Sequence, residues 1–388
     1  MKVTAEDLER VQKTFEQNFE RHAEVGAALS IWSGEEEILS LTGGVMDRET
    51  NHPWSVDTLV LIWSATKGLA SASVLHALEK NNIALEKCVA EIWPAFAHGG
   101  KEKITFRQFL SHQSGLSALG NTSLSILDHE GVIAAIEMQA PRWTPGEGHG
   151  YGPRTYGFIA DEIVRRLTGI PLGEYWRAEF GEPLELDTWI GLPADLHDRV
   201  ARILSPRSAG CNDGSDPFLE AMADPQSLTR AAFISPTGLA GATLMNSPVA
   251  RSASIPSLGG ISSAASLAKF YALLAGDGTW KGCRYFQEAS LVEMRAPLVQ
   301  GQDKVLCLET AFAAGFMKDP VDENGIKLRK HFGPSLSAFG HPGAGGSLAF
   351  ADPEHKIGFA YVMNQMESGV LPGKRALNLV DSFYNISY

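Results

Sequence analysis

The sequence predicts an α+β fold in which an antiparallel β-sheet, built from both ends of the chain, is flanked by helices. Two strand-like runs near the N-terminus, "VGAALSIWSG" and "EEILSLTGG", supply one part of the sheet. Three runs in the last third, "AFAAGFM", "GSLAFADP" and "KIGFAYVMN", supply the rest. Residues 83–205 show mostly helical periodicity. We therefore expect an α/β domain from residues 1–80 and 250–388, and a mainly helical insertion from residues 81–249.

The chain begins with a predicted helix followed by a hairpin. Thr4 and Asp7 resemble a capping box, which is typical of a helix start. Apolar residues then recur at helical spacing: Leu8, Val11, Phe15 and Phe19. The first two strand-like runs are separated by Ser33-Gly34, which predicts a tight turn between paired strands.

Helices dominate from Ser64 onward. One is predicted from Ser64 to about Lys80, and it ends at Asn81-Asn82. Residues 205–260 are rich in Ser, Pro and Gly, with one modest helical patch, so we expect a long loop region that forms a pocket wall. The stretch "SSAASLAKFYALLAGDG" predicts another helix, and "GKRALNLVDSFYNI" predicts a helix that closes the fold.

Composition excludes several classes of function. The net charge of −12 argues against a phosphate-binding surface, so we expect no nucleic-acid partner. No run of 18 apolar residues exists, so we expect no membrane span. The N-terminal stretch is charged throughout and lacks the apolar core of a signal peptide, which predicts a cytoplasmic location. The oligomeric state is left open.

No metal or cofactor is expected. The four cysteines, Cys88, Cys211, Cys283 and Cys307, are far apart and form no Cys-x-x-Cys pair, so they are interpreted as reduced thiols. The His-Glu-x-x-His pattern is absent, and the 11 histidines form no cluster with the spacing of metal ligands.

The stretch "IWSATKGLA" places Ser64 and Lys67 three residues apart at the start of a predicted helix. Positions i and i+3 are neighbours on a helix, so the hydroxyl and the amine could meet there. A serine becomes a nucleophile when a base takes its proton, and the pair is therefore a candidate for covalent catalysis. The pattern alone is weak, because a second copy occurs at Ser266 and Lys269. No Gly-x-Ser-x-Gly elbow exists, so a Ser-His-Asp arrangement has no anchor.

Further motifs follow "SATK" in a recognisable order: "LSHQSGL", "WTPGEGHGYGP" and "FGHPGAGGSLAF". Together they resemble the serine β-lactamase-like superfamily, which comprises class C β-lactamases, low-molecular-weight penicillin-binding proteins and family VIII carboxylesterases. The resemblance covers nearly the whole chain. The linking pieces "IPSLGGISSAASLAKFYALLAGDG" and "ADPEHKIGFAYVMNQM" look most similar to the esterase branch. The resemblance implies a class C β-lactamase-like fold with the active site in the cleft between the two domains.

The resemblance assigns roles to individual positions. Ser64 corresponds to the nucleophile, Lys67 to its neighbouring base or charge, and Tyr151 to the tyrosine whose phenol shuttles a proton. The "HPG" at 341–343 occupies the place of Lys-Thr-Gly, so His341 and Gly343 are expected to contact substrate on a strand from His341 to Gly346. Backbone N–H groups of Ser64 and Ala344 are the expected oxyanion hole. Whether Lys67 or Tyr151 accepts the serine proton stays open at this point.

Two departures favour an esterase over a β-lactamase. The asparagine that β-lactamases carry two residues after the tyrosine is replaced by Pro153, which has no amide side chain and no N–H donor. The lysine that draws in the β-lactam carboxylate is replaced by His341, which is mostly neutral at pH 7. We therefore predict a carboxylesterase that acts on small-molecule acyl esters through an acyl-enzyme on Ser64. The alternatives are a β-lactamase, a D-amino-acid peptidase or transacylase, or a non-catalytic ligand-binding member.

Overall fold

The architecture is taken from a computed structural model that describes residues 3–121, 123–207 and 216–386. Within these residues the α-helices are α1 (Ala5–Arg21), α2 (Thr66–Lys80), α3 (Phe106–Leu110), α4 (His129–Met138), α5 (Thr155–Thr168), α6 (Leu172–Trp176), α7 (Pro217–Ala223), α8 (Leu228–Ile234), α9 (Gly241–Met245), α10 (Pro248–Ser252), α11 (Ala264–Ala275), α12 (Glu288–Arg295) and α13 (Lys374–Tyr384). Short 3₁₀ turns lie at Trp63–Ala65, Val89–Glu91, Pro94–Ala97 and Ala194–Arg199, and a π-turn at Arg177–Gly181.

The strands in the same part of the chain are β1 (Gly26–Ser33), β2 (Glu36–Asp47), β3 (His52–Pro53), β4 (Val60–Leu61), β5 (Thr188–Ile190), β6 (Gly260–Ser262), β7 (Thr279–Trp280), β8 (Cys283–Arg284), β9 (Val299–Gln302), β10 (Glu309–Phe312), β11 (Met317–Lys318), β12 (Phe339–Pro342), β13 (Leu348–Asp352) and β14 (Ile357–Met363). The main sheet has the strand order β3-β2-β1-β14-β13-β12-β11-β10-β9, and its neighbouring strands pair antiparallel. The first and last thirds of the chain therefore meet at the β1–β14 pair, which confirms the predicted fold class.

Both faces of the main sheet are covered by helices, because its central strands carry apolar residues at successive positions. In β14, Phe359 and Tyr361 belong to the core shared with α1 and α13, whereas Ala360 and Val362 belong to the core shared with α11 and α2. This alternation is the two-residue period of a strand. Helix α11 approaches the sheet so closely that a Cβ on Gly358 would lie 2.2 Å from the Ala268 carbonyl oxygen.

The terminal helices and the first hairpin match the predictions. The Thr4–Asp7 capping box begins α1. Strands β1 and β2 pair as a hairpin around Gly34, whose φ of 59° suits glycine. Helix α2 ends at Lys80, and Asn82 adopts a left-handed conformation with φ 54°.

Three local predictions differ from the structure. Ser64 lies in the 3₁₀ turn before α2 rather than in the α-helix itself. Strand β12 ends at Pro342, and residues 343–347 turn into β13 instead of continuing the strand to Gly346. The described part of 205–260 holds four short helices, α7 to α10, where one patch was predicted, because capping residues begin three of them: Asp216, Ser227 and Ser247.

Cys88, Cys283 and Cys307 are free thiols, and Cys211 lies outside the described residues. Among residues 3–121, 123–207 and 216–386, no helix has the length and apolar character that crossing a membrane requires.

Candidate active site

The predicted nucleophile occupies a turn that is held from several sides. Trp63, next to Ser64, has a φ of 48°, an uncommon conformation for a residue with a side chain. The Thr66 hydroxyl accepts a hydrogen bond from the Gly260 N–H at 2.8 Å, and Ile62 N–H donates to the Gly260 carbonyl at 2.9 Å. The turn is therefore fastened to β6, and the hydroxyl of Ser64 is presented at the N-terminal end of α2.

Lys67 lies directly beneath this turn and is fully buried. Its Nζ is 3.4 Å from Ser64 Oγ, and it donates hydrogen bonds to the carbonyls of Pro153 at 3.1 Å and Ser257 at 2.7 Å. A neutral amine has two N–H donors and one lone pair. Because two carbonyls use the two donors, the lone pair is left to face the Ser64 hydroxyl, which is the arrangement of a general base.

Burial favours this neutral form. It lowers the pKa of the Lys67 amine well below its ordinary value, and the nearby Arg154 guanidinium acts in the same direction. No carboxylate of the described chain forms a salt bridge with Lys67. The buried amine therefore lacks the partner that would keep it charged.

Tyr151 faces the same hydroxyl from the other side. Its ring centroid lies 4.7 Å from Lys67 Nζ. Burial raises the pKa of its phenol, and a hydrogen bond with the Ser64 side chain offsets part of this rise. A phenol with a raised pKa keeps its proton at neutral pH, so Tyr151 is equipped to donate a proton rather than to remove one.

Buried polar groups fix the backbone of Tyr151. Its N–H lies 3.1 Å and 3.2 Å from the two carboxylate oxygens of Asp303, which also accepts from the N–H groups of Val305 and Leu306. His112, with a φ of 60°, accepts a hydrogen bond from the Gly152 N–H on its Nδ1 at 3.2 Å. His112 therefore holds the loop that carries Tyr151.

The "HPG" segment lies beside the nucleophile, but its three residues play different parts. His341 is buried; its Nδ1 lies 2.8 Å from the Pro342 carbonyl, and its Nε2 has no hydrogen-bond partner in the described chain. Burial lowers the pKa of His341 to about 3, so it is neutral at pH 7.

Gly343 is the predicted substrate contact that does not border the cavity at Ser64. Its N–H donates to the Ser347 carbonyl at 2.7 Å, and a Cβ at this position would lie 2.3 Å from the Ile62 carbonyl oxygen. Glycine is needed here because the strand end and the nucleophile segment pass so close to each other. Gly343 therefore packs behind the site.

Ala344 borders the cavity, unlike Gly343. Neither its N–H nor that of Ser64 donates a hydrogen bond to the described backbone. Two free N–H groups at the nucleophile are what an oxyanion hole requires.

A cavity of about 280 Å³ opens at Ser64. Tyr151, Pro153, His341 and Ala344 border it together with Ser64, so the structure brings these predicted residues to one place. The remaining wall is mostly apolar and includes side chains from the 216–260 segment: Met222, Phe233, Ile234, Leu239 and Leu258. This segment therefore forms a pocket wall, as expected.

Several residues of the site carry no sequence signal of their own. Asp303 and Ser257 act on Tyr151 and Lys67 from more than 100 residues away in the chain. Ser71 is an exception, since it lies four residues after Lys67 on the same helix face. Its hydroxyl lies 2.6 Å from the Lys67 carbonyl and 2.7 Å from the Tyr156 hydroxyl.

The second Ser-x-x-Lys copy is structural. The Ser266 hydroxyl accepts a hydrogen bond from the Asp187 N–H at 2.8 Å, and Lys269 Nζ donates to the Leu184 carbonyl at 2.6 Å. Ser266 is buried. Both polar groups are engaged with backbone and border no part of the Ser64 cavity.

Similarity to known proteins extends over nearly the whole chain. The sequence profile of the family described as Beta-lactamase matches residues 11–381. The chain is 31% identical to "Esterase/beta-lactamase LipL" of Mycobacterium tuberculosis over 353 residues, which are 88% of this chain and 78% of that protein. A crystal structure of a penicillin-binding protein homolog from Caulobacter crescentus is 34% identical, with a TM-score of 0.86 and 99% of both chains covered.

A family VIII carboxylesterase structure is 30% identical, with a TM-score of 0.87 and 99% of both chains covered. Profile, sequence and structure agree over nearly the full length. The chain belongs to the beta-lactamase family.

Proposed function

We propose that this protein is a serine carboxylesterase that hydrolyses small acyl esters through an acyl-enzyme on Ser64. One observation carries the proposal: the buried Lys67 Nζ lies 3.4 Å from Ser64 Oγ and donates to two carbonyls, so its neutral form has the lone pair left for the Ser64 proton. This arrangement activates an alcohol nucleophile without a histidine or a metal. Esterase is also part of the names of two of the three relatives described above.

The proton route follows from the two pKa shifts. Neutral Lys67 accepts the Ser64 proton as Oγ attacks the ester carbonyl carbon. Tyr151, protonated because its pKa is raised, donates its proton to the leaving alkoxide and is reprotonated from Lys67. Water then attacks the acyl-serine, and the same groups work in the reverse direction to release the acid and restore Ser64. Lys67 is thus the base, and Tyr151 the acid, of acylation.

The tetrahedral intermediate places a negative charge on the former carbonyl oxygen. The N–H groups of Ser64 and Ala344 are free of backbone partners and border the cavity, so they are the donors for this oxygen. Such donors contribute roughly 3 kcal/mol each to stabilisation of the transition state. Ala344 lies in the turn after Pro342 and is partly exposed.

The cavity sets the size and polarity of the acyl group. A volume of about 280 Å³ lies just below the range of roughly 300–1,000 Å³ that is usual for ligand pockets. Its walls carry Met222, Phe233 and Leu258, which offer no hydrogen bonds from their side chains. A short unbranched acyl chain fits this space, whereas a long lipid chain does not.

Two residues weaken β-lactam recognition. Pro153 offers no side-chain amide, and its carbonyl is already used by Lys67. His341 is neutral and buried at the strand position where a β-lactamase presents a lysine. We therefore expect ester hydrolysis to exceed cephalosporin hydrolysis.

The proposal is tested by steady-state hydrolysis of p-nitrophenyl acetate, butyrate and octanoate beside a chromogenic cephalosporin. We expect the wild type to hydrolyse the butyrate ester faster than the octanoate ester and the cephalosporin. We expect Ser64→Ala to abolish this hydrolysis. Ser266→Ala is the matched control, because Ser266 belongs to the second Ser-x-x-Lys copy outside the cavity. Ester turnover that persists in Ser64→Ala would refute the proposal, and faster cephalosporin turnover would refute the argument from Pro153 and His341.

We also propose a cytoplasmic location and no nucleic-acid partner. Cys88 and Cys307 are partly exposed and Cys283 is exposed, yet all three are free thiols. Accessible free thiols are typical of a reducing compartment. The net charge of −12 disfavours contact with a phosphate backbone. Cell fractionation with an antibody tests the location.

A further inference from the structure

Arg154 is the charged side chain in the wall of the Ser64 cavity, and the described lining contains no Asp or Glu. It follows Tyr151 by three residues and is 6% exposed. No carboxylate in the described part of the chain forms a salt bridge with it. Burial alone lowers its pKa to about 10, and no acidic group opposes the shift, so Arg154 is an unneutralised cation at pH 7.

Three backbone carbonyls hold the guanidinium in place. Its Nε donates to Phe233 at 2.7 Å, and its Nη1 donates to Pro236 and Gly238 at 2.8 Å each. These bonds tether the loop that forms part of the cavity wall. They also freeze the side chain, so a ligand that binds it loses little rotational freedom.

The second terminal nitrogen is not used. Nη2 donates no hydrogen bond to the described chain, and it is absent from the polar atoms that are buried without a partner. It is therefore accessible, and the cavity is the space that Arg154 borders. A loop tether needs only Nε and Nη1, whereas a charged nitrogen left open in an apolar cavity is costly without a partner.

We propose that Nη2 of Arg154 binds a carboxylate of the substrate, so that the preferred substrates are esters bearing a carboxylate besides the scissile ester. This inference rests on the proposed esterase function. A carboxylate is the complementary anion for a guanidinium edge. The other nitrogen bases at the site, Lys67 and His341, have lowered pKa values, which leaves Arg154 as the cation that such a group meets.

The test compares two pairs of matched substrates, so that the half of the ester that carries the charge is also identified. The first pair is mono-p-nitrophenyl glutarate and p-nitrophenyl pentanoate, which differ at the end of the acyl chain. The second is 4-carboxyphenyl butyrate and 4-carbamoylphenyl butyrate, which differ in the alcohol. The measured quantity is kcat/KM for the anionic substrate divided by kcat/KM for its neutral partner. For one pair, we expect this ratio to exceed one in the wild type and to fall about 10- to 100-fold in Arg154→Gln.

Thr237→Val is the matched control. The Thr237 hydroxyl donates to the Leu124 carbonyl at 2.9 Å and anchors the same loop, so this change loosens the loop and keeps the charge. We expect it to keep the wild-type ratio. An equal loss in both variants would assign the effect to the loop and overturn the proposal.

A measurement on the wild type covers the case in which Arg154→Gln does not fold. At least one of the two wild-type ratios of kcat/KM, anionic over neutral, should exceed one, and ratios of one or below for both pairs would overturn the proposal. If the wild type does not hydrolyse p-nitrophenyl pentanoate at all, the proposed esterase function itself is refuted. Turnover with ratios that Arg154→Gln leaves unchanged would refute only the role of Arg154.

Discussion

The neutral state of Lys67 can be measured without any substrate, through the pH dependence of folding. In the folded protein its pKa lies well below the ordinary value, whereas in the unfolded chain the amine titrates near the ordinary value of 10.5. Between these two pKa values the unfolded state binds one proton more than the folded state. The free energy of unfolding must therefore rise with pH in this window, by about 1.4 kcal/mol per pH unit for one proton.

Lys67→Met removes this titration and nearly keeps the side-chain volume. Measured by urea denaturation from pH 7 to pH 9.5, the wild type should gain stability relative to Lys67→Met, by up to about 3 kcal/mol over this range. His341 cannot produce the slope, because its pKa of about 3 lies outside the range. Esterase activity of Lys67→Met should fall by roughly 10²–10⁴, the usual contribution of a general base.

Lys80→Met is the matched control, because Lys80 is exposed at the end of the same helix. Its stability should follow the wild type at every pH. A constant difference between wild type and Lys67→Met would mean that Lys67 is charged in the folded protein. In that case Lys67 could not be the base, and the proton route would have to begin at a Tyr151 phenolate.

Three further outcomes are expected. Tyr151→Phe should lower kcat/KM for p-nitrophenyl butyrate about 10²–10⁴-fold because it removes the acid of acylation; a change of less than about threefold would refute that role. Leu258→Trp should narrow the cavity and shift the acyl preference from butyrate to acetate, and an unchanged profile would place the acyl chain elsewhere. Arg375→Met should lower the free energy of unfolding by about 3–5 kcal/mol, because it strands the buried Glu24 that Arg375 contacts at 2.7 Å. Adding Glu24→Gln to Arg375→Met should restore part of the lost free energy of unfolding, measured by chemical denaturation. A further decrease in the double variant would contradict the pairing of Glu24 with Arg375.

Comparison of the predicted and observed site shows which interactions a sequence can reveal. Ser64 and Lys67 could be paired because they are three residues apart, and a short helical turn fixes such a distance locally. Tyr151, Pro153, His341 and Ala344 were placed by family resemblance alone, and the fold brings all of them to one cavity. Gly343 does not border the cavity, and resemblance to Lys-Thr-Gly cannot show that a Cβ there would meet the Ile62 carbonyl oxygen.

The sequence by itself determined the sheet, the helices that cover it and the nucleophile pair, since these depend on periodicity and short spacing. The tertiary structure decided the chemistry at each group. Whether Lys67 is a base depends on its burial between the carbonyls of Pro153 and Ser257, which are 86 and 190 residues away in the chain. A pKa and an unpaired guanidinium nitrogen are properties of an environment, and distant segments that meet only in the folded protein create that environment.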